Sequence, residues 1–204
     1  LVFSANGKML AAAGGTYVQL WDLTQNPPAQ TSVVLDYGNS VFAVAFNPQG
    51  NILAVGGGDK TGGDKDIHLA FFDGFAWTDL GSPRRESARD DVSPALVVAD
   101  GTPLVAWVER GPDRGRTSSV WYARYSAWGW SAPVLASPGD GSWQAPSLLL
   151  TSSEIVLGFT NRSRKDGATL RMIALPRYET PGTLATDGPM PVPPGVKPPG
   201  DNGG

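Results

Sequence analysis

The chain has 204 residues, no cysteine, a single histidine (His68) and a formal net charge of −3. No disulfide framework or thiolate metal site is possible, multi-histidine centres are excluded, and so small a net charge creates no field that would gather nucleic acid or an anionic membrane. Hydrophobic residues are 41% of the chain, with 26 Gly and 18 Pro, a balance that suits a turn-rich β protein with a real core.

The opening segment, LVFSANGKMLAAAGG (1–15), starts inside an apolar run with no initiator Met and no charged leader. It reads as a cut, with any targeting signal upstream. No run approaches the ~18 apolar residues of a membrane-spanning helix, so membrane insertion is not expected. Two apolar strands flank the turn at Asn6-Gly7, a third follows at YVQLWDL (17–23), and a fourth at 31–36. The same order returns in VFAVAFNPQGNILAVGGG (41–58), IHLAFFDG (67–74) and 76–80. It returns again in VSPALVVADGTPLVAWVE (92–109), VWYARYSA (120–127) and 129–135, and a last time in QAPSLLLTSSEIVLGFTN (144–161) and TLRMIAL (169–175), where no fourth strand is evident.

These segments superpose as an internal repeat. Phe3, Gly7 and Ala11 correspond to Phe46, Gly50 and Ala54 at a spacing of 43, and Pro94, Trp107 and Arg110 correspond to Pro146, Phe159 and Arg162 at a spacing of 52. Four strands at a period of 43–52 residues are the mark of β-propeller blades. Leu104, Val105, Ala106, Trp107 and Val108 are apolar at both parities, which predicts a strand buried on both faces, as blade stacking requires. The expected fold is therefore all-β: a β-propeller of four-stranded antiparallel blades, about four present (near 1–36, 41–80, 92–135 and 144–175), in an incomplete ring. Residues 176–204 hold 8 Pro and 6 Gly without periodicity and are expected to form a disordered tail or linker.

The first 58 residues resemble WD-repeat blades. Phe3, Ser4, Gly7, Leu10 and Ala11, followed by Val18, Leu20, Trp21 and Asp22, match the pattern V-x-F-S-P-x-G-x-x-L-A … V-x-L-W-D. The usual Gly-His dipeptide and the structural Asp of the second turn are missing. Residues 67–175, with PALVVADGTPLVAWVE, VWYARY and WSAPV, resemble the sialidase-like superfamily. Both resemblances imply a propeller. A sialidase would also need Asp-boxes (S-x-D-x-G-x-T-W), three converging arginines, a Tyr–Glu pair and an Asp acid, and that set does not assemble from these residues. The resulting expectation is a non-enzymatic recognition or scaffold module without cofactor. The alternative is a fragment of a sialidase-like glycoside hydrolase or a carbohydrate-binding propeller.

Loop lengths suggest which face would bind. The first-to-second strand turns are tight, as are the third-to-fourth turns of units two and three, whereas the second-to-third hairpins (58–66, 110–119, 162–168) and the links between units (81–91, 136–143) are long and charged. In an up-and-down blade the long connections share one face, where functional loops concentrate. The candidate binding residues are Arg84, Arg85, Arg110, Arg114, Arg162 and Arg164, with Trp128 and Trp143 as aromatic platforms in connections. The arginines lie among Glu86, Asp90, Asp91, Glu109, Asp113 and Asp166, a mixed face expected to be solvated. The expected partner is a protein or a glycan on that face, with further blades or a second domain in the full-length chain. Catalytic residues, metal ligands and nucleic-acid contacts are not expected, and the composition leans toward a bacterial cell-surface or secreted protein.

Overall fold

The computed structural model describes residues 1–36, 41–47, 50–58, 65–72, 76–83, 89–111, 116–138, 141–163 and 167–177. They form four antiparallel sheets in chain order, and no helix occurs among them. Blade one is β1 (Val2–Phe3), β2 (Met9–Gly14), β3 (Tyr17–Asp22) and β4 (Ala29–Asp36). Blade two is β5 (Val41–Phe46), β6 (Ile52–Gly58), β7 (Lys65–Phe72) and β8 (Trp77–Asp79). Blade three is β9 (Asp91–Ala99), β10 (Thr102–Arg110), β11 (Ser118–Ser126) and two short pieces that both pair with β11, β12 (Gly129–Trp130) and β13 (Val134–Leu135). Blade four is β14 (Trp143–Leu150), β15 (Glu154–Ser163) and β16 (Gly167–Pro176), three strands. The expected propeller architecture is present, and the four blades form an arc that does not close.

Burial explains the arc. On β10, Leu104, Ala106 and Val108 join Ile155, Leu157 and Phe159 of blade four, while Val105 and Trp107 join Ile52, Ala54, Ile67 and Leu69 of blade two. Between blades one and two, Ala11, Val18 and Leu20 meet Leu53 and Val55. Each inner sheet is thus apolar on both sides, which is why β10 does not alternate with polar residues. The first strands β5, β9 and β14 pack side by side and so line the axis.

The tight turns leave little room for variation. Gly50 lies at φ +74, and a Cβ there would sit 2.7 Å from the Ser4 Cβ of blade one. Both the backbone conformation and the interblade fit require glycine. In blade one, Asp22 closes the turn after β3 by accepting from Thr24 Oγ1 (2.6 Å), Thr24 N (2.8 Å) and Gln25 Nε2 (3.2 Å). The hydrogen bonds from Thr24 hold this exposed carboxyl below its ordinary pKa.

Blade four is fastened to blade three at the face of the short turns. Arg124, 3% exposed on β11, donates to the carbonyls of Pro176 and Arg177 at the end of β16. Arg177 in turn makes a two-point bond to Asp100 in blade three's turn, Nε to Oδ2 at 2.9 Å and Nη2 to Oδ1 at 2.8 Å, and reaches the Ser152 carbonyl at 2.7 Å. The ordered strand therefore continues one residue past the expected Leu175, and Arg177 is part of the joint.

The outer faces of the end blades have no neighbour among the described residues. On blade four, Leu149, Leu170 and Met172 are 62–67% exposed, on the side of the sheet opposite Leu157 and Phe159. On blade one, Phe3 (65%) shares a row with Leu10 and Trp21, beside a shallow hollow of about 450 Å³ edged by Ala12, Tyr17 and Gln19. Apolar faces of this kind are association sites.

Two outcomes follow. Replacing Arg124 with Met removes charge-assisted hydrogen bonds worth about 1.5–3 kcal/mol, which at about 2–4 °C per kcal/mol for a chain of this size lowers the melting midpoint by roughly 3–12 °C. Asp100→Asn, at a half-exposed pair, costs about 1 kcal/mol or less; thermal melts showing equal losses would refute this ranking. The double substitution Leu149→Lys, Met172→Lys is expected to reduce self-association in light scattering while leaving the circular dichroism spectrum unchanged.

Candidate functional site

In the meander, the starts of β5, β9 and β14 and the ends of β6, β10 and β15 emerge on one rim, the rim of the long connections. That rim is where the sequence placed its arginines. Arg110 and Arg162 are there and exposed. Arg84, Arg85, Arg114 and Arg164 lie outside the described residues. The two tryptophans do not join them. Trp128 is 74% exposed, but it occupies the short turn between β11 and β12, on the opposite rim. Trp143 is 4% exposed and opens β14 rather than sitting in a connection. Its ring packs edge-on against Phe159 with centroids 5.3 Å apart. Expected in a connection as a binding platform, Trp143 is instead in the interblade core, because the strand begins one residue earlier than the Gly-rich sequence suggested.

The mixed rim is also not uniformly solvated. Asp91, the first residue of β9, is 0% exposed, and Glu109, near the end of β10, is 2% exposed. They are register partners across the strand pair, so two carboxyl groups lie on one pair of strands next to the axis. Arg89, whose side chain is 48% exposed, places Nη1 at 3.1 Å from Glu109 Oε1 and covers that carboxylate from the solvent side. The backbone reinforces the corner, with Arg110 N donating to Asp90 O at 2.8 Å. Burying charges is costly unless they are paired, so the strand ends hold this group under geometric constraint. The mixed charge of the sequence predicts that both acids are solvated; the structure buries them. The only sequence signal was their position, each abutting an apolar strand.

Next to this corner the rim is sewn to blade four. Ser118 N donates to Gly141 O at 2.6 Å and Ser118 Oγ donates to Trp143 O at 2.7 Å, while within blade four Arg162 N donates to Ser142 O at 3.1 Å. Asn161 Oδ1 accepts from Ser142 N at 3.2 Å. His68 lies on β7 with Nδ1 at 3.9 Å from Asp79 Oδ1, away from the acid pair. Among the described residues no group of three or more His, Asp or Glu is arranged to hold a metal ion.

Residues 31–62 match the WD domain, G-beta repeat family. No curated protein matches the chain. Among solved structures, the chain is similar to an α-L-arabinofuranosidase from Lactobacillus brevis (TM-score 0.51, 10% identity, covering 89% of this chain and 69% of that one). It is also similar to an α-L-arabinanase from Penicillium chrysogenum complexed with arabinobiose (TM-score 0.55, 14% identity, 84% and 61%). A third similar structure is YjhT (TM-score 0.50, 9% identity, 78% and 49%). At such identities the likeness is one of fold, and the chain spans about half to two thirds of the length of these proteins. It nevertheless corrects one expectation. The expectation of a non-enzymatic module, drawn from missing sialidase motifs, does not stand: the fold is one shared with an arabinofuranosidase and an arabinanase.

Proposed function

We propose that this chain is the carbohydrate-handling arc of a glycoside-hydrolase-like propeller, with the sugar seated over the axial end of blade three. The observation that carries the reading is the Asp91–Glu109 pair. Glycosidic bond cleavage needs two carboxyl groups flanking the bond, one to protonate the leaving oxygen and one to attack the anomeric carbon or activate water. Directly opposed residues on antiparallel strands have Cα atoms about 4.5–5.5 Å apart, a spacing from which carboxyl groups reach the roughly 5–5.5 Å of the retaining arrangement. In this reading Arg89 is the movable cover. It swings aside when substrate arrives, and Glu109 meets the glycosidic oxygen while Asp91 stays beneath.

A second reading, a protein-docking scaffold, is supported by the WD match over 31–62. The two separate in one experiment. Calorimetric titration of the full chain with arabinobiose, together with release of nitrophenol from an aryl α-L-arabinofuranoside, is expected to show binding and slow turnover. Glu109→Gln is expected to reduce turnover at least 100-fold, in the range that removal of a general acid costs, while the melting midpoint stays within a few degrees. No binding and no turnover by the unmodified chain would leave the scaffold reading.

A further inference from the structure

Blades two, three and four each carry a bulge in the axial strand, one register pair in from the rim in blade two and two pairs in from it in blades three and four. The register slips between Val41 and Ala43, between Val92 and Ala95, and between Gln144 and Ser147. In blades three and four the bulge has one form. Ser93-Pro94 lies opposite the single residue Trp107, and Ala145-Pro146 lies opposite the single residue Phe159. Ser93 and Ala145 have φ of 55° and 49°, the left-handed region that glycine occupies freely. Both also precede proline, which normally drives the preceding residue to extended backbone. Trp107 is 0% and Phe159 1% exposed, so each strained turn is braced from behind by a fully packed aromatic ring.

The strain has a consequence for Ser93. β9 is covered on both faces by blades two and four and on one edge by β10. An exposed side chain on it can open only toward the axis, and Ser93 is exposed although its neighbours Asp91 and Val92 are buried. No hydrogen bond among the described residues engages its hydroxyl. Glycine would relieve the backbone at this position, yet the chain keeps a hydroxyl there, two residues from Asp91. Backbone outliers that a rigid surround maintains are concentrated at binding sites, and bulges commonly re-aim a side chain there.

We propose that Ser93 is a ligand-contacting residue whose hydroxyl, turned to the axis by the aromatic-backed bulge, hydrogen-bonds a hydroxyl of a neutral sugar held beside Asp91 and Glu109. This inference rests on the carbohydrate reading above. Ala145 is the same backbone device without the polar group, so the contact belongs to blade three alone.

The test is calorimetric titration of the full chain and its variants with arabinobiose, paired with thermal melts. Ser93→Ala keeps the strain and removes the hydroxyl. Ser93→Gly removes both. Each is expected to weaken binding about 3- to 10-fold, the size of one hydrogen bond, with no fall in the melting midpoint. Ala145→Gly is expected to leave affinity unchanged. If the unmodified chain binds arabinobiose and both serine variants bind as tightly, this inference is overturned and the carbohydrate reading stands. If affinity and midpoint fall together, the serine is structural and the inference is again overturned. Failure of the unmodified chain to bind arabinobiose overturns both.

Discussion

Everything in this molecule depends on burying both sides of each sheet between its neighbours. A half-buried sheet can stand with one face in water, but a strand such as 104–108 has no polar face to offer. It must be covered twice. Stacking supplies that cover for blades two and three, and the three interblade clusters are the consequence. Since each blade contacts only its neighbours, stability is a sum of nearest-neighbour terms, and the end blades are the weak members. The Arg124–Arg177–Asp100 joint is informative for that reason. It places charge-assisted bonds, those of Arg124 from a buried side chain, where the apolar contact of blade four is one-sided.

The same stacking fixes where chemistry can sit. The faces of the inner blades are consumed by packing, leaving the rims and the axial edge as the parts of those blades where polar groups can gather. At the rim, the first residue of each axial strand and its partner near the end of the second strand occupy equivalent backbone positions. Blade two fills them with Val41 and Gly57, blade three with Asp91 and Glu109, and blade four with Trp143 and Asn161. An identical scaffold position thus carries an apolar pair, an acid pair and an aromatic–amide pair. The core constrains these positions geometrically but leaves their composition open.

Much of this was legible in the chain. The spacing of 52 that pairs Pro94 with Pro146 and Trp107 with Phe159 marked the repeat, and the structure shows that each proline and each aromatic is half of one bulge, which the spacing itself did not reveal. The apolar run at 104–108 announced burial on both sides. Two features were hidden for physical reasons. The last strand of blade three, read as continuous over 129–135, is broken into β12 and β13, with Ser131 turned back so that its N–H donates to Arg124 O and its hydroxyl accepts from Arg124 N. The acids at 91 and 109 looked like loop charges because their neighbours in sequence are charged. Their neighbours in space are set by the blade-to-blade joint, which no local pattern encodes. Trp143 is hidden for the same reason: flanked by Gly and Ser it reads as a connection, yet it packs against Phe159 in the interblade cluster.

These features together limit how the axial rim can have been shaped. Replacing one residue at a rim position leaves the blade stack intact, since the stack is held by the strand interiors. Replacing the aromatic behind a bulge does not: Trp107 is at once a core residue shared with blade two and the brace that turns Ser93 outward. Loss of a buried aromatic costs about 3–5 kcal/mol, more than the roughly 1–3 kcal/mol of backbone strain it holds in place. The geometry of the axial site and the stability of the arc are therefore coupled through the aromatic residues, while the identity of the polar groups at the rim is not. A repeat fold built this way keeps its frame fixed and varies only the ends of its innermost strands.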